Sequence, residues 1–148
     1  MRATLAALVG TTHKGAWHTV ADPDVADFVR ATHNHQFIHL RTKGVVERSP
    51  YGQVIAPAYM TLSLIPYLTR GQIPRKGNTA FLNYGFNKIR FTEGLALNTK
   101  IRAESTILRV DERENGYLIT RDVTVYSNKH TRPIAHAQSL LFLTTTKD

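Results

Sequence analysis

Three histidines and an asparagine fall within ten residues, in the segment ATHNHQFIHL at positions 31–40. An imidazole can accept and donate a proton near neutral pH, which makes His33, His35 and His39 candidate acid–base groups. Asn34 can orient a water molecule or a carbonyl group through its amide, but it cannot remove a proton. Imidazoles spaced by two or four residues could also bind a metal ion if a third ligand were present. The segment therefore predicts acid–base chemistry, metal ligation, or a polar loop that happens to be rich in histidine.

The sequence on either side of this segment predicts a helix before it and a helix after it. An aspartate and a proline precede an apolar set with helical spacing, which predicts an amphipathic helix over about 23–32. Positions 33–53 are polar and interrupted by glycine and proline, so the histidines are expected in a loop. Positions 56–68 are almost wholly apolar and predict a buried helix, with Pro57 in its first turn and Pro66 near its end.

The second half of the chain is rich in β-branched and aromatic residues. Four stretches predict strands, at positions 79–91, 96–110, 117–127 and 133–145. Between the second and third lies Glu114-Asn115-Gly116, a hairpin signal in which Asn-Gly is expected to supply positive φ angles. Helices followed by a run of antiparallel strands indicate an α+β fold with an apolar helix for the sheet to cover.

Composition narrows the class of protein. A length of 148 residues fits a single domain over 1–148, and the absence of cysteine excludes disulfides and thiolate metal sites. A chain without cysteine suits a reducing compartment, so we expect a cytoplasmic protein. No stretch approaches the ~20 apolar residues of a bilayer span, so we expect no membrane segment. The N-terminal ten residues predict a short docking helix. The net charge of +8 favours anionic partners, but the cations are scattered and form no nucleic-acid-binding motif.

Several short motifs occur in a specific order along the chain: Ala31–His39, Ser49–Gly52, Thr61–Pro66, Asn83–Gly85 and Lys88–Phe91. In this order and spacing the sequence resembles the MaoC-like (R)-specific enoyl-CoA hydratase/dehydratase family, and within it the branch that includes nodulation protein N. The resemblance runs from Leu8 to Leu143. It implies a hot-dog fold, in which a long antiparallel sheet wraps around a central apolar helix, and pairing as a homodimer. It also implies an acyl thioester as substrate, carried by coenzyme A or an acyl carrier protein.

The resemblance assigns roles to particular residues. The family's catalytic histidine falls on His39, and the aspartate that completes its dyad falls on Asn34. A family glycine falls on His33, where the larger side chain could change the backbone or supply a base. The family's Ile-Ala-His-Gly falls on Ile55-Ala-Pro-Ala58, so Pro57 and Ala58 change the place where a glycine N–H usually meets the thioester oxygen. The sequence therefore keeps the order and spacing of the family motifs but differs from them at these four site positions.

The remaining candidates are further from the motif. Glu93 could replace the missing acid. The alternative is that Glu93 is a solvated residue in a turn and has no part in catalysis. Tyr51, Tyr59, Asn83 and Tyr84 are placed by the resemblance near the substrate tunnel, with packing as the alternative. The resemblance accounts for His39 without a metal ion and so disfavours metal ligation. We expect neither a metal nor a cofactor.

Three functions stay open at this point. The first is hydration or dehydration of an acyl thioester with an altered Asn34/His39 dyad. The second is a hot-dog scaffold repurposed for cyclisation or isomerisation of a polyketide-derived small molecule. The third is a non-catalytic partner that binds acyl thioesters.

Overall fold

The computed structural model describes residues 1–75, 77 and 79–144. In that part of the chain there are four α-helices, Arg2–Leu8 (α1), Asp22–Thr32 (α2), Val45–Arg48 (α3) and Ala58–Leu68 (α4), and a 3-10 turn at Phe37–His39. The strands are Thr12–Lys14 (β1), His18–Val20 (β2), Phe81–Phe91 (β3), Thr99–Arg113 (β4), Gly116–Ser127 (β5) and Ala135–Thr144 (β6). The two longer predicted helices and the four predicted strands are confirmed with small shifts at their ends; the last predicted strand residue, Thr145, lies outside the described residues.

The strands form one antiparallel sheet in the order β1-β4-β5-β6-β3, and β2 also pairs with β4. Strand β3 therefore lies at one edge of the sheet. Its pairing with β6 is interrupted at two places, between Asn83 and Gly85 and between Phe86 and Lys88. Such bulges increase the local twist of an edge strand.

Helix α4 packs against the sheet and supplies the centre of the main core. Its buried Met60, Ile65 and Leu68 belong to one cluster with inward-facing residues of the long strands, among them Ile101 and Val123. The helix keeps Pro66 in its last turn and ends two residues later. An apolar helix covered by a long antiparallel sheet is the arrangement that the sequence predicted.

Strands β1 and β2 were not predicted, because three residues are too few to show alternation. They exist because β4 offers its edge to them, with Thr12 opposite Thr106 and His18 opposite Ile101. Gly15 lies between them and against the end of α4. A Cβ on Gly15 would stand 1.9 Å from the carbonyl oxygen of Leu68, so only glycine fits there.

The β4–β5 hairpin is confirmed, and the predicted positive φ is found at Gly116, where φ is 154°, but not at Asn115. The strands meet with Arg113 opposite Gly116, which leaves Glu114 and Asn115 as the two loop residues. Among the described non-glycine residues only His33 and Asn98 have positive φ, so the turn does not use Asn115 in that conformation. Glycine is required at 116 for space, since a Cβ there would lie 2.0 Å from the Leu143 carbonyl oxygen.

Helix α1 is the predicted docking helix. Its Leu5 is fully buried in a second apolar cluster with Ile107, Ile119 and Leu143, at the far end of the long strands. Within residues 1–75, 77 and 79–144, no helix combines the length and the apolar character needed to cross a membrane.

Candidate active site

A cavity of about 360 Å³ opens beside the first turn of α4. Three segments build its wall: the 3-10 turn with the residues before it, the start of α4, and the connection from β3 to β4. Six of the ten predicted site residues line it, namely Asn34, His39, Tyr51, Ala58, Tyr59 and Glu93. These residues are up to 59 positions apart in the sequence, and the fold brings them to one surface.

His39 is buried in the wall of this cavity, with 8% of its surface exposed. Its Nδ1 lies 2.8 Å from the carbonyl oxygen of Ile55. A carbonyl can only accept, so Nδ1 carries the hydrogen, and in the neutral imidazole Nε2 then keeps its lone pair. The arrangement fixes both the tautomer and the orientation of the ring, and it leaves one nitrogen able to accept a proton.

The segment that holds the imidazole is itself anchored on both sides. The N–H of Ile55 donates to the Ile38 carbonyl at 3.0 Å, so Ile55 contacts the 3-10 turn through both of its backbone groups. Ile55 also forms a β-bridge with Ala96, and the next N–H, that of Ala56, donates to the Leu95 carbonyl at 2.8 Å. The position of His39 therefore depends on the connection between β3 and β4 as well as on its own loop.

Asn34 lies at the cavity, while its neighbour His33 does not. His33 ends α2 in the left-handed conformation, with φ 55° and ψ 24°, and its exposed ring is 6.2 Å from the ring of His35. The residue adopts the conformation that glycine favours at a helix end, so the backbone change considered from the sequence is not seen. The prediction of His33 as a catalytic group is not supported by its position outside the cavity.

Asn34 is half-buried, and within the described part of the chain its amide makes one side-chain hydrogen bond. Its Oδ1 accepts a hydrogen bond from Nε2 of Gln36 at 3.4 Å, which is long for such a bond. Gln36 also lines the cavity, as do Thr61 and Thr92, three polar residues that sequence reasoning missed. Gln36 lies within the histidine-rich segment, and Thr61 follows Ala58 by three positions on a helix, so their spacing could have indicated them.

Two tyrosines shape the cavity. Tyr51 packs against Gly94, where a Cβ would stand only 2.7 Å from the Cδ1 atom of the ring. Tyr59 meets Phe91 edge to face, with ring centroids 6.1 Å apart. Both tyrosines expose half or more of their surface, at 50% and 69%. They form an open rim and not a closed pocket.

The start of α4 faces the same space. Pro57 is the N-cap residue and lacks an N–H, and it does not itself line the cavity. The next two residues, Ala58 and Tyr59, do line it, and in the described chain no backbone carbonyl accepts their N–H groups. The first N–H groups of a helix and its dipole favour negative charge, so this wall suits an oxygen atom that becomes anionic.

Asn83 and Tyr84, which the resemblance placed near the substrate, are not at this cavity. Asn83 lines a second cavity at the opposite end of α4, and Tyr84 lies against Phe142 with ring centroids 6.1 Å apart. Tyr84 is 65% exposed, so in the isolated chain it does not pack in a core. The described residues contain no group of three histidine, aspartate or glutamate side chains that could hold a metal ion.

Comparison with known proteins identifies the same family that the sequence motifs indicated. The model of the MaoC-like domain matches residues 5–143. The chain is 33% identical over 126 residues to 3-hydroxyacyl-thioester dehydratase Z of Mycobacterium tuberculosis, covering 84% of this chain and 83% of that protein. It is 32% identical over 122 residues to nodulation protein N of Rhizobium leguminosarum, covering 81% and 76%.

Solved structures confirm the predicted hot-dog fold. The monoamine oxidase regulatory protein of Archaeoglobus superposes with a TM-score of 0.76 at 18% identity, covering 93% of this chain and 92% of that one. The (R)-hydratase of A. caviae involved in PHA biosynthesis superposes with a TM-score of 0.71 at 16% identity, covering 90% and 94%. On the match to the family model and the identity to these relatives, the chain belongs to the MaoC-like domain family.

Proposed function

We propose that this protein adds water to, or removes water from, an acyl thioester carried by coenzyme A or an acyl carrier protein. The observation that carries the proposal is the buried His39 ring, held through Nδ1 by the Ile55 carbonyl in the wall of the cavity beside α4. Two similar proteins support the class of reaction, since one is named a 3-hydroxyacyl-thioester dehydratase and the other an (R)-hydratase.

A single imidazole can complete this reaction. Nε2 of His39 takes a proton from water, and the resulting hydroxide adds to C3 of the enoyl thioester while the double-bond electrons move to the thioester oxygen. The N–H groups of Ala58 and Tyr59 stabilise the enolate oxygen at the start of α4. The imidazolium then returns the proton to C2, which completes the addition of one water molecule. Dehydration follows the same steps in reverse.

Asn34 has a positioning role in this scheme. Its amide oxygen can accept the second hydrogen of the water, which fixes the oxygen lone pair toward C3, but it takes no proton. Glu93 lies in the same cavity and is exposed, so it contributes negative charge at the rim and not a desolvated acid. The reaction therefore proceeds with one acid–base group where the related family pattern has two.

The test is loss of the conjugated-thioester absorbance when the protein is mixed with enoyl thioesters of several chain lengths, on coenzyme A and on a carrier protein. His39→Gln should lower kcat by about 10²- to 10⁴-fold, the usual contribution of a general acid–base group. His35→Gln is the matched control, because His35 is exposed and does not line this cavity. Equal rates in the two variants would refute the role of His39, and no turnover on any substrate would refute the reaction.

A second candidate is favoured by Asn34 itself. An amide in place of the acid, beside Pro57 and Ala58, suits a cavity that orients a polyketide-like intermediate for cyclisation or isomerisation. Asn34→Asp separates the two. If hydration is the native reaction, the added carboxylate should raise its rate. If the scaffold has been repurposed, hydration should appear only in the variant, and the native turnover should fall.

We also propose that the protein is a homodimer joined along β3. This strand is at the sheet edge and exposes the apolar side chains of Leu82, Tyr84, Phe86 and Ile89, each by 37% or more. An unpaired edge with apolar side chains favours association with a second strand. Light scattering should give twice the chain mass of 16.6 kDa for the native protein and the chain mass for Tyr84→Lys. A monomeric native protein would contradict this arrangement.

A further inference from the structure

A second cavity, of about 460 Å³, lies at the other end of α4. The end of the helix, the loop that follows it and strands β3, β5 and β6 form its wall. Three arginines line this cavity, Arg70, Arg75 and Arg121, and none of its described lining residues is acidic. Apolar surface from Ile73 and Leu141 completes the wall. The cavity therefore combines positive charge with apolar walls.

Arg121 is the unusual member, because it is buried. Only 3% of its surface is exposed, and its three hydrogen bonds go to uncharged oxygens: the Thr69 hydroxyl at 3.1 Å, the Gln72 amide oxygen at 3.2 Å and the Ser139 hydroxyl at 3.4 Å. Among the residues that the structure describes, its Nε has no hydrogen-bond partner. None of the ion pairs found in residues 1–75, 77 and 79–144 includes Arg121. A guanidinium with five N–H donors is thus left without a counter-charge.

The groups around Arg121 hold it in place before any ligand arrives. The Thr69 hydroxyl donates to the Ile65 carbonyl at 2.8 Å. The Gln72 amide donates to the Ser105 carbonyl at 2.7 Å and accepts from the Ser105 hydroxyl at 2.8 Å. A fixed guanidinium loses little conformational freedom when it binds an anion, which favours affinity.

Burial of an unpaired charge is costly, and a protein retains such a group when something compensates it. Burial lowers the pKa of Arg121 to about 10, which leaves the guanidinium charged at neutral pH. The end of α4 offsets part of the charge, since a helix C-terminus carries roughly half a negative charge. The rest of that charge, together with the charges of Arg70 and Arg75, is uncompensated in the described structure.

We infer that this cavity binds a small organic anion, with its carboxylate or phosphate oxygens toward Arg121 and its apolar part against Ile73 and Leu141. Guanidinium groups match the oxygen geometry of both anions. This site is separate from the proposed reaction, because the two cavities share no lining residue and lie at opposite ends of α4. At 1.5 Å per residue, the ends of the helix are about 15 Å apart.

Calorimetric titration of the full-length chain tests the site. The probes are hexanoate, hexyl phosphate, inorganic phosphate and the uncharged hexanamide, all at one ionic strength set with chloride. We expect saturable binding of hexanoate, of hexyl phosphate or of both, one per chain, and none of hexanamide. The stronger of the two ligands identifies the charged group, and inorganic phosphate shows how much the apolar part contributes.

Variants locate the binding. Arg121→Met keeps a long side chain without charge and should weaken binding about 10- to 100-fold, the range for a hydrogen bond to a charged group. Arg132→Gln is the matched control, an exposed arginine between β5 and β6 that does not line the cavity, and it should bind as the native chain does. If Arg121→Met does not fold, the exposed pair Arg70→Gln and Arg75→Gln leaves the core intact and should weaken binding several-fold.

Three results would overturn the inference. The first is that hexanamide binds as well as hexanoate. The second is that neither organic anion binds. The third is that the affinity is unchanged in Arg121→Met or, where that chain does not fold, in the double variant of Arg70 and Arg75.

Discussion

Replacing His33 with glycine should stabilise the protein, because the histidine has a backbone conformation that suits glycine. With φ 55° and ψ 24° at the end of α2, it is in the left-handed region, which costs an ordinary L-residue roughly 1–2 kcal/mol. Glycine avoids that cost but loses more freedom on folding, by about 0.5–1 kcal/mol. The imidazole is exposed and accepts or donates no hydrogen bond in the described structure, so little else is lost. The net gain is about 0.5–1 kcal/mol.

Urea unfolding and thermal unfolding both measure this gain. For a chain of this length the melting temperature should rise by about 2–3 °C. Turnover of the thioester substrate should stay unchanged, because the His33 side chain does not line the cavity with His39. A loss of stability, or a fall in kcat, would refute the reasoning and restore His33 as a working part of the site.

Asn98 provides a matched control, since its φ is 56° and it is the only other described non-glycine residue with positive φ. Its Oδ1 accepts a hydrogen bond from the N–H of Asp22 at 3.1 Å, at the first residue of α2. Asn98→Gly removes that acceptor, and the lost hydrogen bond costs about 0.5–1.5 kcal/mol. The backbone gains little in return, because asparagine tolerates the left-handed region better than histidine does. The same substitution at the same backbone angle should therefore destabilise the protein at 98 and stabilise it at 33.

Two further predictions concern glycines with no room for a side chain. Gly94→Ala places a methyl 2.7 Å from the Tyr51 ring, so the ring must move. We expect the unfolding free energy to fall by about 1 kcal/mol and KM to rise. The double variant with Tyr51→Ser should recover the stability. Gly15→Ala places a methyl 1.9 Å from the Leu68 carbonyl oxygen, where backbone must shift. It should cost about 3 kcal/mol or more in urea unfolding, and a neutral effect would contradict the contact between the β1–β2 segment and α4.

The long elements of this fold could be predicted from the sequence because their signals are local. The apolar run of α4 and the β-branched stretches of the four long strands are visible in any window of ten residues. The short strands β1 and β2 were missed because only their partner β4 specifies them, about 80 to 95 residues away. A strand of three residues is too short to show a sequence pattern that reveals so distant a partner.

The cavity that holds His39 was predicted through a family resemblance and not through local pattern. Its members come from a loop, a helix and a strand connection, and no spacing rule unites Asn34, Tyr59 and Glu93. The same resemblance placed Asn83 and Tyr84 near the substrate, and they lie elsewhere in the single chain. The two residues lie on β3, the strand along which we propose that two chains pair, so their part in the site depends on that proposed dimer.

Arg121 carried a signal that the sequence reasoning overlooked. Along β5 the buried positions Ile119, Val123 and Val125 share one parity, and Arg121 has it too. Alternation along a strand places these four side chains on the inner face of the sheet, although Leu118 and Thr120, on the other face, are buried as well. A cation at an inward position of a strand must be paired, hydrated or neutralised by a ligand, so this pattern could have drawn attention to Arg121.

Helix α4 connects the electrostatics of the two cavities. In the proposed reaction its N-terminal end would favour the negative charge on an enolate oxygen beside Ala58, while its C-terminal end favours the positive charge of Arg121. The same dipole thus stabilises charges of opposite sign at its two ends. Removing Arg121 would relieve an unpaired buried charge, but it would also remove a cation from the helix end where a cation is favoured. These two effects oppose each other, and urea unfolding of Arg121→Met measures their difference.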